Sequence, residues 1–125
     1  MFRVVKTVEL ECAHSLPDGV FSTPCTRNHG HTYKVEVCVK GVLLDEFGML
    51  VDFGHIGKVL EKYDHQCLNE LMVGPTTAEC FAAYLALEIQ QVLDALTKRD
   101  REVRVDYVTV RETSSGVVTF SPDEL

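Results

Sequence analysis

Histidines with the spacing of a metal site lie at the start of the strongest predicted strand. His29 and His31 are separated by Gly30, and an alternation of apolar and charged residues follows over residues 33–40. Because side chains on a strand repeat every second residue, the two imidazoles should share one face, about 7 Å apart. His14 is available upstream as a third ligand. Three neutral histidines with the fourth position open are typical of a catalytic zinc site.

Cys25 strengthens this interpretation because it is the one cysteine that lies in a polar loop. The other four fall in predicted strands or helices and are interpreted as small core residues: Cys12, Cys38, Cys67 and Cys80. Ordinary structural roles remain open for the histidines. A His-x-His pair also occurs on strands without a metal, and a histidine such as His14 can end a strand in a hydrogen bond alone.

Length and composition describe a single globular domain, residues 1–125. The chain has 46% hydrophobic and 25% charged residues, which is normal for a globular protein. Its formal net charge of −7 argues against a general surface for nucleic acid or anionic membranes. No apolar run approaches the ~20 residues of a membrane span. Five cysteines without a CxxC pair, and no secretory signal, favour a reduced, cytoplasmic setting.

The apolar periodicity predicts an α+β domain with most of its strands in one antiparallel sheet. Strands are expected over residues 2–11, 33–39, 49–51, 103–112 and 117–120. Residues 33–39 and 49–51 are expected to form a β-hairpin. The apolar phase changes within residues 103–112, so the core-facing side of that strand is ambiguous.

Two helices are predicted, each with its own capping signal. Asp52 can cap a helix that starts at Phe53. Thr76 and Glu79 have the Thr-x-x-Glu spacing of a capping box, ahead of an apolar face about five turns long. Glu79 is therefore interpreted as a capping residue first. Helices that follow one another in this way suggest that both pack on one face of the sheet.

Six short motifs in order resemble those of the 6-pyruvoyl-tetrahydropterin synthase family, in particular its 6-carboxytetrahydropterin synthase branch. They span about residues 2–116, nearly the whole chain: Cys12-Ala13-His14-Ser15-Leu16, Cys25-x3-His29-Gly30-His31, Gly48-Met49-Leu50-Val51-Asp52-Phe53, Asp64-His65-x2-Leu68-Asn69, Thr77-Ala78-Glu79 and Arg111-Glu112-Thr113. The gap of three residues between Cys25 and His29 favours the carboxy branch, because the animal pyruvoyl enzymes have a longer gap.

This resemblance implies a tunnelling fold, in which a four-stranded antiparallel sheet with two helices on one face oligomerises into a barrel. The typical assembly is a homohexamer, a dimer of trimers. The resemblance also implies one Zn²⁺ held by His14, His29 and His31. It further implies a proton-transferring thiolate at Cys25, a second acid/base pair at Asp64 and His65, a pterin anchor at Glu112 and a substrate contact at Thr77.

The implied substrate is 7,8-dihydroneopterin triphosphate. The carboxy branch converts it to 6-carboxy-5,6,7,8-tetrahydropterin with release of acetaldehyde and triphosphate, in queuosine and 7-deazapurine biosynthesis. Arg27 is a candidate triphosphate contact, with a solvated loop arginine as the alternative. Two other functions stay open: a 6-pyruvoyl-tetrahydropterin synthase, and a non-catalytic module that binds zinc or a pterin. The module requires neither Cys25 nor the Asp64–His65 pair, so these residues argue against it.

Overall fold

Two long strands with alternating apolar residues form the centre of the computed structural model, which describes residues 1–21 and 23–123. Strand β1 comprises Phe2–His14, and strand β2 comprises His29–Gly41. They pair antiparallel along their whole length, so that the first residue of each lies opposite the last of the other. Both predicted strands are confirmed, and β2 begins at His29, so the His-x-His pair lies on the strand itself.

Three further strands complete a five-stranded sheet in the order β3-β1-β2-β4-β5. Strand β3 is Gln66–Cys67, β4 is Val103–Arg111 and β5 is Val117–Phe120. The strands β1, β2, β4 and β5 are antiparallel neighbours, which confirms the predicted four-stranded antiparallel arrangement. The short β3 pairs parallel with Cys12 and Ala13 of β1, so the complete sheet is mixed.

A β-bulge explains the change of apolar phase in β4. The register between β2 and β4 shifts after Cys38, which lies opposite Tyr107, while Val39 lies opposite Val105. Asp106 is therefore the extra residue in β4. Because a bulge moves the following residues by one position in the pleat, valines on both sides of it reach the same core. These buried valines are Val103, Val105, Val108 and Val110.

The helices cover one face of the sheet. Helix α1 comprises Phe53–Glu61, α2 comprises Leu68–Leu71 and α3 comprises Ala78–Leu96, while a short 3₁₀ helix, Thr23–Thr26, lies in the β1–β2 connection. Both predicted helices are confirmed, and α2 is an additional turn in a segment predicted as loop. The largest fully buried side chains between helices and sheet are Tyr33, Tyr63, Phe81, Leu10, Ile56, Leu60, Leu68, Leu85, Ile89 and Leu93.

The two helix N-termini differ in how well their capping signals predicted them. Asp52 caps α1 as expected, since its Oδ1 accepts a hydrogen bond from Gly54 N–H at 2.8 Å. Helix α3 begins one residue later than the predicted capping box requires: Thr77 is the N-cap, and its hydroxyl accepts from Cys80 N–H at 3.2 Å. The capping role predicted for Glu79 is wrong, because the cap lies only two residues before it.

The predicted strand over residues 49–51, and its hairpin with β2, are wrong. Asp45 closes this segment into a loop. Its N–H donates to the carbonyl of Met49 at 2.8 Å, and its carboxylate accepts from the N–H groups of Phe47 and Met49, each at 2.9 Å. The run is apolar because Leu50 is buried in the core, and residues 49–51 do not pair with a strand.

The face of the sheet that the helices leave open is polar. Residues exposed or half-buried on this face include Glu11, Thr32, Lys34, Glu36, Lys40 and Thr109. Alternation along each strand therefore separates a charged face from the apolar core. Among the described helices, none combines the length and the apolar character needed to cross a membrane.

Gly41, the last residue of β2, has no room for a side chain. A Cβ at this position would lie 2.6 Å from Cδ1 of Leu50 and 2.9 Å from the carbonyl oxygen of Glu102. We expect Gly41→Ala to lower the free energy of unfolding by about 1–3 kcal/mol, because the Glu102 backbone would have to shift. Urea denaturation measures this change.

Gly57→Ala in α1 is the matched control. The nearest atom to a Cβ at Gly57 is Cε of Lys6 at 3.7 Å, which is an ordinary contact. Because alanine is preferred to glycine inside a helix, this variant should gain about 0.5–1 kcal/mol in its free energy of unfolding. Equal losses of stability in both variants would contradict the packing explanation for Gly41.

Candidate metal centre and active site

The register of β1 and β2 brings three imidazoles together on the helix-covered face of the sheet. His14 lies opposite His29 in the strand pairing, and His31 follows on the same face. The ring centroid of His14 lies 4.5 Å from that of His29 and 5.2 Å from that of His31, and the last two are 4.8 Å apart. The structure therefore assembles the three histidines that the sequence singled out as candidate ligands.

Backbone carbonyls fix the orientation of two of these rings. Nδ1 of His14 lies 2.7 Å from the carbonyl oxygen of Thr76, and Nδ1 of His29 lies 2.7 Å from the carbonyl oxygen of Arg27. Since a carbonyl oxygen only accepts hydrogen bonds, each Nδ1 must carry the proton. In the neutral ring, Nε2 is then unprotonated, which is the form that binds a metal.

Glu112, which follows β4 directly, completes a cluster of four residues that we call the His/Glu cluster: His14, His29, His31 and Glu112. Its Oε1 lies 3.1 Å from Nε2 of His14 and 3.1 Å from Nε2 of His31. One donor atom from each member lies within 4.8 Å of the others. Nε2 of His14 is buried and has no hydrogen-bond partner among the described residues. A bound cation would relieve this costly arrangement.

The electrostatics of the His/Glu cluster favour a neutral imidazole at His31. Burial lowers the pKa of His31 below its usual value, and the Glu112 carboxylate opposes this effect. Neutral histidine nitrogens and a carboxylate oxygen are ligand types that zinc accepts. The residues present therefore fit a zinc ion.

Tyr33 packs directly against the His/Glu cluster. Its ring centroid lies 5.4 Å from that of His31, 6.0 Å from that of His14 and 5.6 Å from that of Phe81 in α3, all in edge-on contacts. The side chain is fully buried, and its hydroxyl has no hydrogen-bond partner within residues 1–21 and 23–123. Burial raises the pKa of Tyr33, so the hydroxyl stays protonated. Sequence reasoning treated Tyr33 as a strand residue only.

Asp64 and His65 form a pair at the outer edge of β1. Nδ1 of His65 lies 3.0 Å from Oδ2 of Asp64, and Oδ1 of Asp64 accepts from Glu11 N–H at 2.8 Å. The N–H of His65 donates to the Glu11 carbonyl at 2.6 Å. His65 has φ 59°, a left-handed conformation uncommon for a residue other than glycine. These contacts hold the backbone, while the His65 side chain is 77% exposed.

One cavity of about 450 Å³ is lined by residues of both the pair and the cluster. His65 and His31 contribute to its wall, together with Glu11, Thr32 and Cys67. The structure thus brings His65 to a cavity that reaches one metal-ligand candidate. It does not place Asp64 or His65 among the donor atoms of the His/Glu cluster.

Cys25 lies in the 3₁₀ helix of the β1–β2 connection, outside the His/Glu cluster. Its carbonyl accepts a hydrogen bond from Leu16 N–H at 2.7 Å, and Leu16 is two residues beyond His14. This bond ties the turn that carries the half-buried thiol to the end of β1. The connection therefore returns to the end of β1.

Two carbonyl oxygens are site groups that sequence reasoning missed. The carbonyl oxygen of Arg27, whose side chain is exposed, orients His29. The carbonyl oxygen of Thr76 orients His14. Thr77, a predicted substrate contact, uses its hydroxyl to cap α3. Because every residue has a carbonyl oxygen, residue type gave no signal for the roles of the Arg27 and Thr76 carbonyls.

The other cysteines have surroundings that differ from one another. Sγ of Cys12 donates to the Tyr63 carbonyl at 3.1 Å, and burial raises the pKa of this thiol to about 12, so it is protonated at neutral pH. The predicted core role is confirmed for Cys12. Cys38 is buried too, but it lies outside the core, on the other face of the sheet, with its Sγ 3.9 Å from Asp106. The core role is wrong for Cys80, which is exposed at the start of α3, and for Cys67, which is only half-buried.

The contacts of Asp64 predict how stability depends on pH. The Glu11 N–H, and to a smaller extent His65, lower the pKa of Asp64. A depressed pKa gives stabilisation that is present above about pH 4 and is lost as the pH falls through the folded-state pKa. Asp64→Asn should therefore be less stable than the parent protein at pH 7, and the difference should shrink below about pH 4. Urea unfolding over a pH series measures it.

Asp100→Asn serves as the control, because it removes a carboxylate from the exposed turn between α3 and β4. It should not reproduce the pH-dependent difference expected for Asp64→Asn. The same pH-dependent loss in both variants would contradict the assignment to the Glu11 contact.

Comparisons with known proteins agree with this architecture. The sequence profile of the family described as 6-pyruvoyl tetrahydropterin synthase matches residues 3–123. A Bacillus subtilis (strain 168) protein named 6-carboxy-5,6,7,8-tetrahydropterin synthase is 32% identical over 129 residues, which cover 97% of this chain and 86% of that protein. A Rickettsia bellii protein of the same name is 32% identical over 73 residues, 54% of this chain and 51% of that protein.

The structure of Caenorhabditis elegans 6-pyruvoyl tetrahydropterin synthase has a TM-score of 0.72 to this chain at 20% identity, over 98% of this chain and 96% of that one. At this identity the match shows the fold, which is the expected tunnelling fold. With a profile match along nearly its full length and a relative above 30% identity over 97% of it, the chain belongs to the 6-pyruvoyl tetrahydropterin synthase family.

Proposed function

We propose that this chain is a zinc-dependent lyase. It converts 7,8-dihydroneopterin triphosphate and one water molecule to 6-carboxy-5,6,7,8-tetrahydropterin, acetaldehyde and triphosphate, as a step of queuosine and 7-deazapurine biosynthesis. The observation that carries the proposal is the convergence of three histidines, with Nε2 of His14 buried and unpartnered among the described residues. The family, and the name of the Bacillus relative, support a pterin as the substrate class.

His14, His29 and His31 would hold the zinc ion. When bound, zinc supplies a Lewis acid that stabilises negative charge developing on the oxygens of the substrate side chain. The carbonyl oxygens of Thr76 and Arg27 hold two of the imidazoles in the neutral tautomer that leaves Nε2 available. Two of the ligands are therefore oriented before any substrate arrives, which avoids the cost of ordering them later.

Proton transfer falls to the Cys25 thiol and to the Asp64–His65 pair. The Leu16–Cys25 hydrogen bond holds the thiol's turn beside the end of β1, and a nearby cation favours the thiolate, which is a competent base. The Asp64 carboxylate accepts from Nδ1–H of His65, so Nε2 of His65 can give or take a proton. In the proposed reaction, Cys25 removes a proton from the substrate side chain and His65 transfers the second one.

Three residues are proposed to bind the substrate. The Glu112 carboxylate can accept two hydrogen bonds from the aminopyrimidine edge of the pterin. The exposed Arg27 side chain can contact the triphosphate. Its positive charge would locally offset the protein's net charge of −7. The Thr77 hydroxyl accepts from Cys80 N–H and can still donate to the substrate.

The proposal includes a cytoplasmic homohexamer, a dimer of trimers. Along the outer edge of β1, only Cys12 and Ala13 pair with another strand within the described residues. The remainder of this long edge has no strand partner there. An unpaired strand edge is a template for pairing with another chain, and joining sheets edge to edge would close them into a barrel.

Product analysis tests the proposed reaction. The zinc-loaded protein, incubated with 7,8-dihydroneopterin triphosphate, should release acetaldehyde and form 6-carboxy-5,6,7,8-tetrahydropterin, identified by mass. Removal of zinc with a chelator should abolish both products. A product that keeps the three-carbon side chain, formed without acetaldehyde, would identify a 6-pyruvoyl-tetrahydropterin synthase instead. Binding of zinc and pterin without turnover would identify a non-catalytic module.

Cys25→Ala tests the proposed base. It should keep the fold and the zinc content but lose ~10²–10⁴-fold in turnover, as is typical for a positioned acid/base group. Cys80→Ala removes an exposed thiol outside the proposed site and should retain turnover. Elemental analysis and product assays on both variants make the comparison. Near-normal turnover in Cys25→Ala would remove this residue from the mechanism.

A further inference from the structure

The turn after α1, residues 62–66, carries the Asp64–His65 pair. The backbone of Glu11 in β1 bonds to both members of this pair, since its N–H donates to the Asp64 carboxylate and its carbonyl accepts from His65 N–H. These two bonds hold the side of the turn that faces β1. The contacts on the other side come from α3 and involve the residues that precede the pair.

Glu88, near the middle of α3, binds two consecutive residues at the start of this turn. Its Oε1 accepts a hydrogen bond from the Tyr63 hydroxyl at 2.5 Å, and its Oε2 forms an ion pair with Nζ of Lys62. The Glu88 side chain is only 20% exposed, and a hydrogen bond to a charged acceptor is roughly twice as strong as one between neutral groups. One carboxylate therefore ties the start of the turn to a helix of 19 residues.

Packing alone does not account for the Tyr63 hydroxyl. The residue is 1% exposed, and its ring makes an edge-on contact with that of Phe81, with centroids 5.4 Å apart. An aromatic ring without an oxygen could make the same contact. A buried hydroxyl is costly unless it has a hydrogen-bond partner, and Glu88 supplies one. The bond therefore adds a directional constraint to a position that the ring already fills.

We propose that Glu88 is a positioning residue for the Asp64–His65 pair and that it acts through Tyr63. This inference rests on the proposed function, in which His65 transfers a proton. Neither Glu88 nor Tyr63 is a member of the His/Glu cluster or of the wall of the cavity that His65 lines. Their contribution is to fix where the turn begins, so that the imidazole stays at this cavity.

The backbone of His65 explains why the turn needs support from two sides. Its φ of 59° is uncommon for a residue with a side chain, and such conformations persist only where the surroundings hold them. The His65 side chain is 77% exposed and contacts Asp64, which lies in the same turn. This contact orients the ring but does not place the turn. Placement depends on the bonds from Glu11 and Glu88.

Kinetics of three variants test the inference. Tyr63→Phe keeps the ring but removes the hydroxyl, and Glu88→Ala removes its acceptor. Both should lower kcat about tenfold at unchanged KM, since a misplacement of about 1 Å can cost ~10²-fold and affects the transition state rather than substrate binding. Glu88→Gln keeps an oxygen that can accept from the Tyr63 hydroxyl, so it should keep most of the parental kcat.

Tyr107→Phe is the matched control. The Tyr107 hydroxyl also donates to a carboxylate, Oε2 of Glu36 at 2.6 Å, but this bond lies on the open face of the sheet. The variant loses the same kind of hydrogen bond as Tyr63→Phe and should retain the parental kcat. Urea denaturation of both phenylalanine variants separates a loss of stability from a loss of kcat.

Amide hydrogen exchange tests the positioning without turnover. The His65 N–H donates to the Glu11 carbonyl at 2.6 Å, so its exchange rate reports local opening of the turn. In Tyr63→Phe this amide should exchange about tenfold faster, as expected for the loss of a hydrogen bond to a charged group. Tyr107→Phe should leave its exchange rate unchanged, because opening of the turn does not break the Tyr107 bond.

The two measurements together decide the inference. Faster exchange at His65 with a lower kcat in Tyr63→Phe and Glu88→Ala supports it. An unchanged kcat, or equal His65 exchange rates in Tyr63→Phe and Tyr107→Phe, would overturn it and leave the Tyr63–Glu88 bond as a packing contact alone. If the parent protein forms no product, the proposed reaction fails, while the exchange rates still decide whether Glu88 holds the turn. The two failures are therefore distinguishable.

Discussion

The candidate site depends on the register between β1 and β2. Because side chains on a strand alternate, a slip of one residue would move His14 to the face of the sheet opposite His29. The same register places Leu10 opposite Tyr33, and both side chains are buried in the core, where the Tyr33 ring contacts His14 and His31. The apolar alternation that stabilises the sheet therefore also sets the geometry of the three imidazoles. The same strand register is therefore required both for core packing and for assembly of the His/Glu cluster.

One buried atom of the His/Glu cluster lowers the stability of the fold. Nε2 of His14 is buried without a hydrogen-bond partner among the described residues, an arrangement that costs about 1–3 kcal/mol. Edge-on contacts with Tyr33 and the Thr76 hydrogen bond keep the ring in this position. The fold thus holds an imidazole where water does not reach it and a metal ion can. A core selected for stability alone would place an apolar side chain there.

The elements that follow from side-chain period and type were predicted correctly: β1, β2, β4, α1, α3 and the convergence of the three histidines. Prediction failed where local polar contacts decide the backbone structure. Residues 49–51 have the apolarity of a strand, but the Asp45 hydrogen bonds close their segment into a loop. Thr76 and Glu79 have the spacing of a capping box, but Thr76 is buried at the site, so the cap moves to Thr77. Neither contact is visible in an apolar pattern.

The place of Glu112 follows from pairing between strands that are far apart in sequence. In the register of β2 and β4, Arg111 lies opposite Lys34, so β4 ends where β2 approaches His31. A motif that contains Glu112 shows the residue type but not this juxtaposition. Residues within β1 and β2 therefore place the three imidazoles, and the residue just beyond the end of β4 places the carboxylate beside them.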